Sequence, residues 1–206
     1  MSDVTENHWQ QVYEKPLDAL SWTRPHLDLS LRLLTKHGLQ PAHHLIDVGA
    51  GASTLVDDLI AAGVRTVTCM DLSGTALNVA RDRLGAHARD VHFLVGSIIE
   101  IDLPTTHFDF WHDRAVSHFL TDTAAQAAYA RQVRKTLKPG GIVVLAGFAP
   151  DGPERCSGLP VCRRDAQDQW DLLGREAFEL LDTAREIHLT PTGREQRFCY
   201  GVFRRR

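Results

Sequence analysis

Leu45-Ile46-Asp47-Val48-Gly49-Ala50-Gly51-Ala52-Ser53 decides how the rest of the chain is read. An apolar strand, His44 to Val48, runs into two glycines just before a helix, Leu55 to Ala62, begins. Glycine lets backbone pass close to a ligand, and a helix start presents unpaired N–H groups. A dinucleotide site wants Gly-x-Gly-x-x-Gly, the third glycine packing helix on strand. Thr54 stands in that third position, so the fingerprint is broken. Asp47 is also a poor neighbour for pyrophosphate, whose charge it repels. It suits a ligand that carries an ammonium group and no phosphate, and S-adenosylmethionine is such a ligand. The plainer alternative is a strand-to-helix turn that needs glycine for geometry alone.

Working outward, strands and helices alternate. Thr66 to Met70 is a β-rich run ending at Asp71, and Val91 to Val95 ends at Gly96. Phe108 to His112 and Ile142 to Ala146 are two more apolar runs. Helices are expected at Ala76 to Leu84 and Ala124 to Leu137, the second stopped by Pro139-Gly140-Gly141. This alternation predicts an α/β, doubly wound parallel sheet with helices on both faces. Residues 1–40 read as a helical preface: Glu6 to Tyr13, then a helix from near Pro25 with the stripe Leu27, Leu29, Leu31, Leu33 and Leu34, capped at Gly38. Residues 149–165 are rich in Pro, Gly and charge and read as a long loop. Residues 166–206 supply a helix, Ala166 to Leu173, and two strands, Ala184 to Leu189 and Gln196 to Phe203, joined through Pro191-Thr192-Gly193. The expectation is one domain over 1–206, with preface 1–40, cofactor core 43–148, substrate loop 149–165 and C-terminal helix and hairpin 166–206.

Three companions support the opening segment. Asp71 lies twenty residues past Gly51 at a strand end, where a carboxylate can accept two bonds from ribose hydroxyls. Helix capping is the plainer reading of an acid there, but Ser73 fills that role. Gly96-Ser97-Ile98 follows the third strand, where an adenine would rest, and Lys138-Pro139-Gly140-Gly141 precedes the most apolar strand. In this order, Asp47-Val-Gly-Ala-Gly51, Met70-Asp71-Leu72-Ser73, Phe108-Asp109 and Leu137-Lys-Pro-Gly-Gly141 resemble the class I S-adenosylmethionine-dependent methyltransferases. The resemblance covers roughly Leu45 to Phe148. It implies a seven-stranded Rossmann-like sheet in the order 3-2-1-4-5-7-6, the last strand antiparallel. It also implies a cofactor held by Asp47, Gly49, Ala50, Gly51, Asp71, Leu72, Ser97 and Ile98. Many members carry an acid directly after the third-strand glycine. Here it is Ser97, so adenine would depend on Ser97, the N–H of Ile98 and apolar walls. The preface resembles members whose Trp-x-x-x-Tyr helix folds over the cofactor, which makes Trp9 and Tyr13 lid residues; core packing is the alternative.

The acceptor side is expected where strands four and five end. His112-Asp113-Arg114-Ala115-Val116-Ser117-His118-Phe119 packs four ionisable groups at that edge. Asp113 can hold the methionyl ammonium or a substrate amine, Arg114 a carboxylate, and His112, His118 or Asp113 can act as base where the acceptor must lose a proton. Against this stand helix capping by Asp113 and surface histidines. Cys156 and Cys162 would form a substrate wall and, if both faced inward, could bind a soft metal. Their spacing is no standard zinc pattern, so no metal site is expected.

Composition narrows the classes. Of 206 residues, 43% are hydrophobic and 24% charged, with a formal charge of −3, so no broad basic face is available for nucleic acid. Arg204-Arg205-Arg206 reads as a solvated tail. No apolar run approaches the roughly 20 residues of a membrane span, and the acidic start lacks signal-peptide features. Four scattered cysteines suggest a reducing, cytoplasmic setting without a disulfide framework. The expected activity is methyl transfer to a small-molecule acceptor, releasing S-adenosylhomocysteine. A protein-lysine methyltransferase, with Asp113 and Glu100 facing a basic peptide, is the runner-up. A non-enzymatic S-adenosylmethionine-binding module is the alternative from another class. A dinucleotide oxidoreductase is disfavoured by Asp47 and Thr54.

Overall fold

The computed structural model describes residues 3–14, 16 and 20–206, with side chains from residue 7 onward. Residues 1, 2, 15 and 17–19 of the expected preface lie outside the described residues. Nine strands follow in chain order: β1 (His44–Val48), β2 (Thr66–Asp71), β3 (Val91–Val95), β4 (Phe108–Arg114), β5 (Leu137–Phe148), β6 (Arg155–Cys156), β7 (Leu159–Pro160), β8 (Phe178–Leu189) and β9 (Glu195–Arg205). The helices are α1 (Asp3–Val12), α2 (Asp28–Lys36), α3 (Leu55–Ala61), α4 (Gly74–Leu84), α5 (Thr123–Thr136) and α6 (Ala166–Leu173).

Seven strands form one sheet in the order β3-β2-β1-β4-β5-β9-β8. Counted within that sheet, this is the expected 3-2-1-4-5-7-6. The chain's last strand, β9, runs antiparallel to both β5 and β8. Side-chain alternation along β5 shows why the sheet is covered twice. Val143 and Leu145 enter one core with Tyr129 and Val133 of α5 and Leu173 of α6. Ile142, Val144 and Ala146 enter the other with Leu29 and Leu33 of α2, Leu55 and Leu59 of α3, and Leu77 of α4. A period of two on a strand buried on both faces yields this near-continuous apolar run.

Three expectations change in detail. Pro139-Gly140-Gly141 does not separate helix from strand; it bulges within β5, where Leu137 pairs with Phe108 and Ile142 with Phe110. The loop after β5 contains the tight β6–β7 hairpin, turned at Ser157 (φ 48°) and Gly158 (φ 78°). The terminal arginines are no solvated tail: Arg204 pairs with Glu179, Arg205 bonds the carbonyl of Leu137, and the N–H of Arg206 donates to Ala177.

Strand order reverses at β1, flanked by β2 and β4. Val48 pairs with Met70 on one side and with Asp113 on the other. Ligands of such sheets bind at the carboxyl ends of strands beside this reversal. Because β9 runs the other way, its first residues reach that same edge, Phe198 pairing with Phe148. Among the described residues no helix is long and apolar enough to cross a membrane.

Candidate functional site

The turn after β1 is shaped by two glycines in left-handed conformation, Gly49 (φ 69°) and Gly51 (φ 51°). Side chains are absent there for want of room: a Cβ on Gly49 would strike Val116, and one on Gly51 the hydroxyl of Tyr13. The Ala50 N–H donates to the Met70 carbonyl (2.9 Å), which pins the loop to β2. Asp71, ending β2, accepts from the N–H of Gly51 (2.9 Å) through one oxygen and of Ser73 (2.8 Å) through the other. Each oxygen keeps a further lone pair. Burial pushes the Asp71 carboxyl up to about 6, against the pull of those N–H groups. Ser73, not Asp71, caps α4, accepting from the N–H of Ala76 (3.2 Å).

These groups open onto a cleft with ≈ 840 Å³ of empty space, part of it open to solvent. Gly49, Asp71, Leu72, Gly96 and Ile98 line it on the β1–β3 side. Ser97, between Gly96 and Ile98, is buried beneath the wall. Opposite stand Arg114, Phe119, Cys156, Gln196 and Phe198. Trp9, Tyr13 and Trp22 close the top, Trp9 edge-on to Phe119 at 5.2 Å and to Trp22 at 5.9 Å. α1 is docked by Gln10, whose Oε1 accepts from Ser73 Oγ (3.0 Å) and from the Thr75 N–H (3.3 Å). The Tyr13 hydroxyl receives the Ala52 N–H and the Trp22 indole; burial first, then Asp71, raises its pKa far above the ordinary phenol.

A second lobe shares Tyr13, Trp22, Gly49 and Arg114 with the first and adds Arg24, Asp47, Ala50 and His112. Asp47 accepts from His112 Nδ1 (2.7 Å), and Nε2 of the same ring meets Ser30 Oγ (2.9 Å). The register pairs Asp47 with His112, so the two side chains share one sheet face. Glu186, on β8, is the hub beyond. It pairs with Arg24, takes Nη2 of Arg114 (3.3 Å) and accepts the Tyr200 hydroxyl (3.0 Å). Arg114 Nε donates to that hydroxyl (3.1 Å), and its guanidinium lies 4.2 Å from the centre of the Phe198 ring. Burial opposes the charge of Arg114, but Tyr200 and Glu186 outweigh it and its pKa is raised.

Not every expected residue faces the cleft. Asp113 points to the opposite sheet face, buried, accepting from the Tyr129 hydroxyl (2.6 Å) and from the N–H groups of Val116 (2.9 Å) and Ser117 (3.1 Å). This is the capping alternative, since side chains alternate along β4 and Arg114 and His112 take the cleft face. Burial raises the Asp113 carboxyl to about 6. His118 lies under the floor against Phe148 and Phe119, and burial with Arg114 and Arg164 nearby lowers it to about 3. His112 holds Asp47 and does not face the aromatic wall. Cys156 lines the cleft as a protonated thiol, pushed up to about 12 by burial. Cys162 does not; its Sγ approaches the Leu120 carbonyl (3.6 Å). The two thiols therefore share no ligand position. Among the described residues no group of three or more His, Cys, Asp or Glu could hold a metal ion.

Sequence reasoning did not single out Gln10, Ser30, Glu186, Gln196, Phe198 or Tyr200. Ala184, Glu186 and His188 pair with Tyr200, Phe198 and Gln196, so all six project on one face of the ribbon. Glu186, His188 and Gln196 alternating into an otherwise apolar face was the signal available.

The methyltransferase domain family matches residues 45–141. A malonyl-[acyl-carrier protein] O-methyltransferase from Serratia marcescens is 30% identical over 122 residues, 59% of this chain and 45% of that one. A ribosomal protein L11 methyltransferase from Pelotomaculum thermopropionicum is 29% identical over 151 residues, 69% of this chain and 46% of that one. The chain thus spans about half the length of these relatives. Among solved structures, the 1,6-didemethyltoxoflavin-N1-methyltransferase of Burkholderia thailandensis, with 1,6-didemethyltoxoflavin and S-adenosylhomocysteine bound, superposes with a TM-score of 0.70. It is 21% identical, and the match covers 98% of this chain and 84% of that one.

Proposed function

We propose that the chain is a class I S-adenosylmethionine-dependent methyltransferase, a reading supported by the match of residues 45–141 to the methyltransferase domain family, and that it transfers a methyl group to a small-molecule acceptor, releasing S-adenosylhomocysteine. The observation that carries the reading is the division of the cleft into two unlike walls beneath one aromatic roof.

The β1–β3 wall suits the cofactor. Asp71 offers lone pairs to ribose hydroxyls from between Gly51 and Ser73. Leu72 and Ile98 give apolar contact to an adenine, and the turn at Gly49 and Gly51 leaves backbone where side chains would collide. The second lobe carries charges of both signs, Asp47 and Arg24, which suits the ammonium and carboxylate of a methionyl tail. When bound, S-adenosylmethionine supplies a methyl group that is electrophilic without further activation. The residues then contribute alignment and exclusion of water. His112 keeps Asp47 oriented. Trp9, Trp22 and Phe119 shield the reacting end. Among the described residues the acceptor wall holds neither histidine nor carboxylate. A protein acceptor would have to thread this roofed cleft, which favours a small molecule.

Two measurements test the reading. Titration calorimetry should detect S-adenosylhomocysteine binding and no NAD binding. A transfer screen with methyl-labelled cofactor should label a metabolite fraction rather than lysate protein. NAD binding without S-adenosylhomocysteine binding overturns the cofactor assignment. Label on protein alone overturns the small-molecule acceptor. Cofactor binding without transfer to either pool leaves a binding module instead of an enzyme.

A further inference from the structure

Gln196 sits at the start of β9, 8% exposed, on the acceptor wall of the cleft. Its Nε2 donates to Ser21 Oγ (3.4 Å), while its Oε1 has no hydrogen-bond partner among the described residues. A buried amide oxygen without a donor is costly, and native proteins keep such groups where a ligand or water completes them. Around it the wall is apolar and aromatic: Trp9, Trp22, Phe119 and Phe198, with the protonated Cys156. The ionisable group of fixed charge on this wall is Arg114, whose Nη1 has no partner among the described residues while Nε and Nη2 are held by Tyr200 and Glu186. Glu186 is already occupied by Arg24, Arg114 and Tyr200. Of the other carboxylates, Asp71 is turned to Gly51 and Ser73 on the far wall, and Asp47 in the second lobe is held by His112.

Resting on the methyl-transfer reading above, we infer that the acceptor is a flat, conjugated ring that donates an N–H or O–H to Gln196 Oε1 and carries neutral or anionic character toward Arg114. The aromatic walls contribute area to any flat ligand. The amide oxygen supplies selectivity, because a ring lacking the donor leaves that oxygen buried and unpaired. The guanidinium excludes ammonium-bearing acceptors, which find no uncommitted carboxylate on this wall. Lysine side chains fall in the excluded class.

The test uses the full chain loaded with S-adenosylhomocysteine, so cofactor binding is established first by calorimetry. Three sets of flat aromatic fragments are then screened by saturation-transfer NMR. One set bears ring N–H or phenolic O–H groups, such as lumazine and 7-hydroxycoumarin. The second holds their N- or O-methylated counterparts, and the third bears aminomethyl groups. Hits should concentrate in the first set. Gln196→Met should weaken them by about tenfold or more, leaving the methylated set unchanged. Gln196→Glu, which keeps an acceptor oxygen, should retain them. Unaltered thermal unfolding and S-adenosylhomocysteine affinity in both variants separate recognition from folding. Binding of the aminomethyl set, indifference to Gln196→Met, or no hit from the donor set overturns the inference. Loss of S-adenosylhomocysteine binding in the unaltered chain overturns the underlying function instead.

Discussion

The two walls of the cleft are built by different means. The proposed cofactor wall is mostly main chain: a turn at two left-handed glycines, N–H groups held by a strand-end carboxylate, and residues 96–98 following β3. The proposed acceptor wall is mostly side chain, gathered from α1, the turn after β4, β6 and β9. Main-chain features depend on spacing within a few residues, so any sequence that keeps the turn keeps the site. Side-chain walls depend on which residues the register happens to bring level, and each can be exchanged singly. A fold arranged this way can hold one cofactor while its acceptor changes.

That contrast can be broken in several places. The largest effect is expected at Glu186→Gln, which leaves the buried Arg114 guanidinium without its carboxylate. Removing one partner of a buried pair should cost about 3–5 kcal/mol of stability, read by urea unfolding. A loss below about 1 kcal/mol would mean that this wall is not held together by charge. Next comes Asp71→Ala, expected to weaken S-adenosylhomocysteine by about 2–4 kcal/mol in calorimetry through lost charge-assisted bonds. Because the carboxyl sits near 6, the charged acceptor is lost as pH falls through that value, so wild-type affinity should drop below pH 6 while the Ala variant stays flat. Flat behaviour in both would remove Asp71 from ribose binding.

Asp113→Asn sharpens the comparison from the other direction. It should leave cofactor affinity and turnover near wild type, since the side chain faces away from the cleft, and change stability by about 1–3 kcal/mol. Its folded pKa, about 6, lies above the ordinary 3.8. The aspartate therefore contributes stability that is fully present below the unfolded value and lost as pH rises through 6. Relative to wild type, the Asn variant should gain between pH 4 and 7 in urea unfolding. Lost turnover at unchanged stability would return Asp113 to the reaction. The smallest effect is expected at Gln10→Ala, which removes the two bonds that dock α1. Amide exchange over 7–14 should quicken by the equivalent of about 0.5–1.5 kcal/mol. S-adenosylhomocysteine should slow it in wild type; identical protection with and without ligand would make α1 plain packing.

Legibility in the sequence followed the same division. The segment Asp47 to Gly51, with Asp71 and Gly96, could be placed because strand, glycine and acid recur at short spacing, and β1 and β3 fall on the expected boundaries. Strand order followed from the family resemblance, not from composition. Of the residues expected on the acceptor side, Arg114 and Cys156 line the cleft, whereas His112, Asp113, His118 and Cys162 serve Asp47, a turn, the floor and a loop. Chemical type does not say which face of β4 a residue takes; only the phase of alternation does. Glu186 and Gln196 were missed because their partners, Arg24 and Ser21, lie more than 160 residues earlier.

The direction of β9 has a practical consequence. Its beginning borders the cleft and its end pairs with Phe178 at the far edge of the sheet. The hairpin tip around Pro191-Thr192-Gly193 is therefore a replaceable cassette beside the cleft, with Pro191 itself on the second lobe. A fusion joined after Arg206 would emerge at the opposite pole. Libraries that vary residues 190–194 can accordingly be displayed from a C-terminal tether without the tether reaching the site being varied.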